Sequence, residues 1–135
     1  MVSTCWTQTI VIALFASDAN VQTKLGRANE VLIPSIVFGE LYYGARKSGR
    51  VEENVRRVDE LLAGSAALDC DAETARNYAI VKNDLRLKGK PIPENDIWIT
   101  ALAVQHNLIA VQHNLILVTR DSHFQEVQNL ATESW

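Results

Sequence analysis

The architecture of the chain is most clearly indicated by Pro91-Ile-Pro-Glu-Asn-Asp-Ile-Trp-Ile99, a stiff bend that leads into an apolar helix. Two prolines stiffen the approach, and the apolar turns that follow predict that the helix is buried. Glu94 and Asp96 fall in its first turn. Acidic residues in the first turn stabilise a helix by interacting favourably with its dipole. A carboxylate where a buried helix leaves a sheet can also bind a cation or a polar substrate.

Short apolar runs alternate with helical patterns along the rest of the chain. Strands are predicted at residues 31–33, 66–68 and 115–118, and less clearly at 2–6. Helices are predicted from an N-cap at Ser35 to about Lys47, across residues 51–62, and from a cap at Asp71 to Gly89. Alternating strands and helices imply a mainly parallel sheet covered on both faces, which is a three-layer α/β/α sandwich.

The bulk composition indicates one ordinary globular domain over residues 1–135. The chain is 47% hydrophobic and 21% charged, and this length buries about two-thirds of the unfolded surface. A net charge of −3 argues against a generally basic nucleic-acid binder, although a local basic face is sufficient for binding. No run has membrane-spanning length and no basic segment precedes the first apolar one, so we expect a cytoplasmic protein without a signal peptide or membrane contact.

The two cysteines are Cys5 and Cys70, and both lie in apolar, strand-like surroundings. Their positions show no metal-ligand spacing. We therefore predict buried free thiols in a reducing compartment, with a disulfide as the alternative.

A perfect tandem repeat interrupts the last part of the sequence. Ala103-Val-Gln-His-Asn-Leu-Ile109 is followed at once by an identical copy ending at Ile116. Seven residues are close to two helical turns, so a lengthened helix would keep its buried face with a drift of only about 20°. The alternative is a helix that ends near Asn107 and a bulged loop before the next strand, and the sequence does not decide between them.

Three acidic residues follow predicted strands and are candidates for one shared site. Glu40 lies in the helix after strand 31–33, Asp96 opens the apolar helix, and Asp121 comes just past the last strand. Segments that follow parallel strands meet at one sheet edge, where three carboxylates repel one another unless a divalent cation neutralises them. Such oxygen ligands suit Mg²⁺ or Mn²⁺, which activates water for phosphate cleavage. On spacing alone, three unrelated surface acids remain the alternative.

Three runs occur in a distinctive order along the chain. They are Ile33-Pro-Ser-Ile-Val-Phe-Gly-Glu-Leu-Tyr-Tyr-Gly-Ala45, the run from Pro91 to Ile99, and Val118-Thr-Arg-Asp-Ser-His-Phe124. Together they resemble the PIN-domain ribonucleases, and more narrowly the VapC-type toxins of bacterial toxin–antitoxin pairs. The resemblance implies a PIN-like α/β/α sandwich, Mg²⁺- or Mn²⁺-dependent cleavage of RNA, dimerisation, and inhibition by a cognate antitoxin. It also implies that Glu40, Asp96 and Asp121 are the metal-site acids.

The N-terminus departs from this family pattern. Family members have an Asp-Thr-Asn-like triplet after the first strand, whereas this chain has Cys5-Trp-Thr-Gln-Thr9, so that Thr7 occupies the slot of the first catalytic aspartate. A neutral hydroxyl lacks the charge that a divalent metal needs, and we expect cleavage to be impaired. Codons for Leu-Asp-Thr-Asn read one base later give Trp-Thr-Gln-Thr. Together with the repeat, this suggests either a damaged copy of a toxin gene or an error in the sequence, and the DNA sequence distinguishes the two.

Two functions from different classes follow from these features. The first is a Mg²⁺-dependent endoribonuclease toxin, impaired at Thr7, in which Thr119, Arg120 and Arg46 help to hold the RNA. The second is a catalytically dead PIN-like module that keeps antitoxin binding and dimerisation. Cleavage of RNA by the chain and by a version repaired at the Thr7 slot distinguishes them, whereas no motif identifies the RNA that is cut.

Structural roles are predicted for several side chains outside the acidic site. Adjacent Tyr42 and Tyr43 cannot both face one core, so one of them is expected to lie in a homodimer interface. Trp98 is predicted to belong to the core, and Glu94 to cap its helix or to reach the metal only through water. No chemistry is assigned to His123, because the histidines show no zinc spacing and no paired nucleophile.

Overall fold

The computed structural model describes residues 2–27, 30–109, 114–127 and 130–135. Each of the first three strands is followed by two helices. The strands are β1 (Val2–Trp6), β2 (Glu30–Pro34), β3 (Ala66–Leu68), β4 (Asn114–Val118) and β5 (Thr132–Glu133). The helices are α1 (Gln8–Phe15), α2 (Ala19–Leu25), α3 (Ser35–Arg46), α4 (Val51–Ala63), α5 (Ala72–Lys88) and α6 (Glu94–Ile109), and a 3₁₀ turn spans Ser122–Glu126.

All described strands belong to one parallel sheet with the order β3-β2-β1-β4-β5. β1 lies at its centre, where Thr4 is opposite Val31 of β2 on one side and Ile116 of β4 on the other. The central strand is buried on both faces, because the neighbouring residues Cys5 and Trp6 point to opposite faces and are 0% and 1% exposed. The predicted α/β/α sandwich with a mainly parallel sheet is confirmed.

The ends of α5 follow the local rules from which they were predicted. Asp71 accepts a hydrogen bond from the N–H of Thr74 over 3.0 Å, and the Thr74 hydroxyl accepts one from the Asp71 N–H over 2.9 Å. Gly89 follows the last helical residue with a φ of 67°, in the left-handed region that glycine adopts without strain. Both predicted ends are therefore confirmed.

Two helix starts differ from the prediction. Ser35 is not the N-cap of α3 but its first residue, because the preceding Pro34 still pairs in the sheet and carries no side chain that could cap. α2 was not predicted, although Asp18 caps it by accepting from the N–H of Val21 over 3.1 Å. Among the described residues, no helix is long and apolar enough to cross a bilayer.

Two side chains that were predicted to be buried are not. Cys70 is exposed, because it lies past the end of β3 between two aspartates rather than within the strand. Trp98 is half-buried and stacks on Tyr78 of α5 with ring centroids 4.0 Å apart, which places it between two helices rather than in the core. Cys5 is buried as predicted, with its pKa raised to about 12 by burial, and both thiols are free.

The tandem repeat spans the end of α6 and the start of β4. α6 continues to Ile109, past the alternative end at Asn107, and β4 begins within the second copy. The Asn107 amide bridges to the next strand, donating to the Leu115 carbonyl over 3.1 Å and accepting from its N–H over 2.8 Å. Residues 110–113 lie outside the described part of the chain, and so does the predicted bulge.

Candidate active site

Glu40 reaches the candidate site from the second turn of α3, which follows β2 without a loop. The side chain is half-buried, and its Oε1 atom is buried without a hydrogen-bond partner among the described residues. Burial raises the pKa of Glu40, and the charges of Asp96 and Asp121 raise it further, while the side chain of Asn95 opposes the shift. The Glu40 carboxyl therefore lies in a partly buried, acidic environment.

Asp96 enters from the first turn of α6, at the bend made by the two prolines. Its N–H donates to the carbonyl of Pro93 over 3.0 Å, and its side chain is 14% exposed. Oδ2 of Asp96 lies 3.0 Å from Nδ1 of His123. Burial raises the pKa of this carboxyl, the charge of Asp121 adds to the rise, and the contact with His123 opposes it.

Asp121 follows β4 and precedes the 3₁₀ turn. Its N–H donates to the hydroxyl of Thr119 over 3.0 Å, which fixes the chain just past the strand end. Its charge acts on both Glu40 and Asp96, so residues far apart in sequence share one electrostatic environment. In the described ranges, however, no three His, Cys, Asp or Glu side chains lie close enough together to hold a metal ion by themselves.

Thr7 lies directly after β1 and is 2% exposed. Its N–H donates to the carbonyl of Val118 over 3.2 Å, and its hydroxyl donates to the same oxygen over 3.2 Å. The hydroxyl also lies 3.1 Å from that of Thr9. Thr7 therefore joins the ends of β1 and β4, and its side chain carries no negative charge.

The residues predicted to hold RNA are placed differently from one another. Thr119 is 5% exposed, and its hydroxyl is occupied by the N–H of Asp121. Arg120 donates through Nη2 to the carboxylate of Asp18 over 3.0 Å and to the carbonyl of Trp135 over 2.7 Å. Arg46 is exposed at the end of α3. Arg46 and Arg120 are both exposed, but the guanidinium of Arg120 is already paired with Asp18 and with the Trp135 carbonyl.

Two residues beside the acids were not found from the sequence, namely Asn95, which contacts Glu40, and His123, which contacts Asp96. The contact of Asp96 with His123 joins positions 27 residues apart, and no local pattern indicates it. Glu94 points elsewhere, since its carboxylate lies 3.2 Å from Nζ of Lys82 on α5. It is thus peripheral to the three acids.

Known proteins are similar to this chain in both sequence and fold. The chain matches the PIN domain family model over residues 9–130. Ribonuclease VapC2 of Haemophilus influenzae is 37% identical over 109 residues, which cover 80% of this chain and 77% of that protein. The chain belongs to the PIN-domain family of VapC ribonucleases. The tRNA(fMet)-specific endonuclease VapC of Shigella flexneri is 32% identical over 107 residues, which cover 78% and 76% of the two chains.

A solved VapC-containing complex extends this similarity to the N-terminus. The crystal structure of VapBC2 from Rickettsia felis bound to a DNA fragment from its promoter matches with a TM-score of 0.87 and 28% identity, covering 100% of this chain and 99% of that one. The family-model match begins only at Thr9 and leaves Thr7 outside. The N-terminal strand therefore keeps the VapC fold. The predicted family and the predicted class of enzyme, a ribonuclease, are confirmed.

Proposed function

We propose that this chain is a VapC-type endoribonuclease toxin whose divalent-metal site is formed by Glu40, Asp96 and Asp121 and is weakened by Thr7. The observation that carries the proposal is the buried Oε1 atom of Glu40, which has no hydrogen-bond partner among the described residues. Buried polar atoms nearly always have a partner. A cation is the partner that suits a carboxylate beside two others, and these oxygen donors fit Mg²⁺ or Mn²⁺.

The chain's own residues would position the site in three ways. His123 orients Asp96, the packing of α3 holds Glu40, and the Thr119 hydroxyl fixes the backbone at Asp121. The raised pKa values of Glu40 and Asp96 reflect burial and mutual repulsion, both of which a bound cation would relieve. When bound, Mg²⁺ would supply activation of water and stabilisation of charge on the phosphate.

The substitution at the first acidic slot accounts for the proposed impairment. The Thr7 hydroxyl is committed to the Val118 carbonyl and carries no charge. Removal of one electrostatic partner from a preorganised site commonly costs about 10²–10³-fold in rate. We therefore expect weak metal binding and slow cleavage.

A second candidate is a catalytically dead module that keeps its protein contacts. The hydrogen bonds of Thr7 to the Val118 carbonyl favour this candidate, because they join the ends of β1 and β4 and stabilise the fold without a metal. Such a module would still bind an antitoxin, and through it could help to repress its own operon.

The partners we propose follow from the relatives. The solved VapBC2 complex pairs VapC with VapB on promoter DNA, which supports a cognate antitoxin for this chain. RNA is the proposed substrate, in the cytoplasm, and Arg46 is the exposed cation nearest in sequence to Glu40 on α3. The name of the Shigella flexneri relative makes tRNA(fMet) the first RNA to test. We also propose that the chain is a homodimer.

The decisive experiment compares the chain with a version in which residues 6–9 are replaced by Leu-Asp-Thr-Asn. Labelled tRNA(fMet) and total RNA are incubated with each protein in Mg²⁺ and in EDTA. We expect the repaired protein to cleave RNA only in Mg²⁺, and at least about 10²-fold faster than the original chain. Within the repaired protein, Asp96→Asn should abolish cleavage, whereas the matched change Glu94→Gln on the same helical turn should not.

Each other outcome has a definite meaning. If the original chain cleaves as fast as the repaired one, Thr7 does not occupy a catalytic slot and the impairment is wrong. If neither protein cleaves RNA although both are folded, the dead module is the better description. If cleavage survives Asp96→Asn, the three acids do not form the site.

A further inference from the structure

A polar cleft lies beside the candidate active site, between the end of β4, the 3₁₀ turn and the edge strand β5. It encloses about 320 Å³, and ligand pockets for small molecules commonly enclose about 300–1,000 Å³. Thr119 and Arg120, which were predicted from the sequence to hold RNA, are among the residues that line it. Asp121 lines it too, and the charge of Asp121 also acts on Glu40 and Asp96. The cleft therefore adjoins the three acids at Asp121.

Two pairs of neutral polar side chains line the cleft. Ser122 and Gln125 lie three residues apart in the 3₁₀ turn, where residues at that spacing are eclipsed and share one face. Phe124, between them, is 1% exposed and anchors the turn in the core. Thr132 and Ser134 lie two residues apart along and just past β5, a spacing that places both on one side of a strand. The turn and the strand thus each present a polar pair to the cleft.

These side chains keep their hydrogen-bonding groups available. All of them are exposed, and within the described ranges none makes a side-chain hydrogen bond to another residue. A hydroxyl can donate and accept at one atom, and an amide donates through its nitrogen and accepts through its oxygen. The polar cleft can therefore hydrogen-bond a ligand without breaking a contact in the described part of the fold.

The charged residues at the polar cleft disfavour a phosphate as its ligand. The guanidinium of Arg120 is already paired with Asp18 over 3.0 Å. Glu133 also lines the cleft, and its carboxylate accepts from the indole N–H of Trp135 over 3.0 Å. Because the carboxylates of Asp121 and Glu133 would repel an anion, a neutral ligand with several donors and acceptors fits better.

We propose that the polar cleft binds one unpaired base of the RNA substrate, beside the phosphate that is cleaved, and distinguishes between bases through Gln125. The inference rests on the proposed function in taking RNA as the substrate and Asp121 as a metal-site residue. Sequence-specific recognition of RNA mostly uses hydrogen bonds to the edges of single-stranded bases, which are neutral and carry both donors and acceptors. The Gln125 amide can engage two atoms of one base edge at once.

A base held in the cleft would also position the RNA for cleavage. Asp121 lines both the cleft and the acidic site, so the backbone of the bound nucleotide would lie at the three acids. The 3₁₀ turn joins the two sites as well, since it carries Gln125 at the cleft and His123, which contacts Asp96. Binding energy gained at the base would hold the phosphate in a reactive geometry.

The test measures binding of labelled RNA hexamers to the full chain by fluorescence anisotropy in EDTA. The hexamers contain only A, only C or only U, and an abasic hexamer provides the same backbone without bases. We expect one of the bases to bind about tenfold more tightly than the abasic hexamer, and Gln125→Met to remove most of that preference. Gln125→Glu replaces the donor with a second acceptor and should change which base is preferred. Asn83→Leu, which also removes an exposed amide but on α5 and away from the cleft, should leave the preference unchanged.

The outcomes separate the base site from the nuclease proposal, because binding in EDTA depends on neither metal nor cleavage. Circular dichroism confirms that each variant is folded, which is expected for changes at exposed positions. Equal binding of all four hexamers, or no binding of any, would overturn the base site, while Mg²⁺-dependent cleavage by the repaired protein would still support the nuclease. A base preference that is unchanged in both Gln125 variants, or that Asn83→Leu removes equally, would also overturn it.

Discussion

Thr7 donates twice to the carbonyl oxygen of Val118, once from its N–H and once from its hydroxyl, and both distances are 3.2 Å. Thr7 follows the end of β1, and Val118 is the last residue of the neighbouring parallel strand β4. Asp121 of the candidate site comes three residues after Val118. A carboxylate at position 7 cannot donate the second of these bonds. Threonine at position 7 therefore stabilises the ends of the two strands without a metal.

Thr7→Asp should accordingly exchange intrinsic stability for metal-dependent stability. In EDTA the melting temperature should fall, because a buried charge replaces a satisfied hydroxyl. In Mg²⁺ it should recover, since a ligand at about 100 times its Kd adds about 2.7 kcal/mol. Scanning fluorimetry over a Mg²⁺ series measures both effects. Thr7→Val, which loses the hydroxyl without gaining a charge, should melt lower and show no recovery. An equal Mg²⁺ response in Thr7→Val and Thr7→Asp would contradict the slot assignment.

The raised pKa of Glu40 predicts how stability depends on pH without metal. Because burial and Asp96 raise this pKa, the folded state binds the proton more tightly than the unfolded state. The free energy of unfolding should therefore fall as pH rises from about 4.3, the pKa in the unfolded chain, through the higher folded value, and then level off. Glu40→Gln should make this fall smaller in urea titrations in EDTA. Glu94→Gln, a change on the outer face of α6, should leave this dependence of the free energy of unfolding on pH unchanged.

The elements that could be predicted are those with local signals. Residues 115–118 of β4 are a continuous apolar run, and α5 is bounded by Asp71 and Gly89, whose roles follow from their own chemistry. The three acids were predicted as one site because Asp121 follows a strand end, Asp96 lies in the first turn of a helix, and Glu40 lies in the helix after a strand, and such segments meet at one edge of a parallel sheet. The family resemblance supplied the roles that spacing alone left open.

The parts that could not be predicted depend on contacts between distant segments. α2 is only seven residues long, too short for a helical period to stand out. His123 finds Asp96, and Arg120 finds Asp18, across 27 and 102 positions. The exposure of Cys70 depends on where β3 ends, and strand ends are the least certain feature of a sequence-based assignment.

Gln105 should contribute to stability through a buried polar network. Its Oε1 accepts from the hydroxyl of Thr74 over 2.5 Å, and its Nε2 donates to Asp71 over 2.9 Å, which ties α6 to the start of α5. Gln105→Leu should lower the free energy of unfolding by about 1–3 kcal/mol, because buried partners lose their hydrogen bonds. Urea denaturation measures the loss. His106→Leu, a change at the half-buried neighbouring position, should cost less. A Gln105→Leu protein as stable as the original would show that the network adds nothing.

Removal of the charge of Arg120 should lower the stability of the protein, whereas removal of the charge of Arg46 should weaken RNA binding. Arg120 holds both Asp18 and the carbonyl of Trp135, whose indole packs edge-on against Trp6 at 5.5 Å. Arg120→Gln should therefore lower the melting temperature and weaken the near-ultraviolet dichroism of the tryptophan pair. Asp18→Asn should reproduce part of the loss of stability.

Arg46→Gln should leave both of those signals unchanged, because its side chain is exposed at the end of α3. If Arg46 tracks the RNA backbone, this variant should bind RNA more weakly and with a salt dependence reduced by about one phosphate contact. Binding is measured by fluorescence anisotropy of a labelled RNA in EDTA, so that cleavage does not interfere. The assignment fails if Arg120→Gln keeps its tryptophan dichroism and loses more RNA affinity than Arg46→Gln, because Arg120 would then act on RNA directly rather than within the fold.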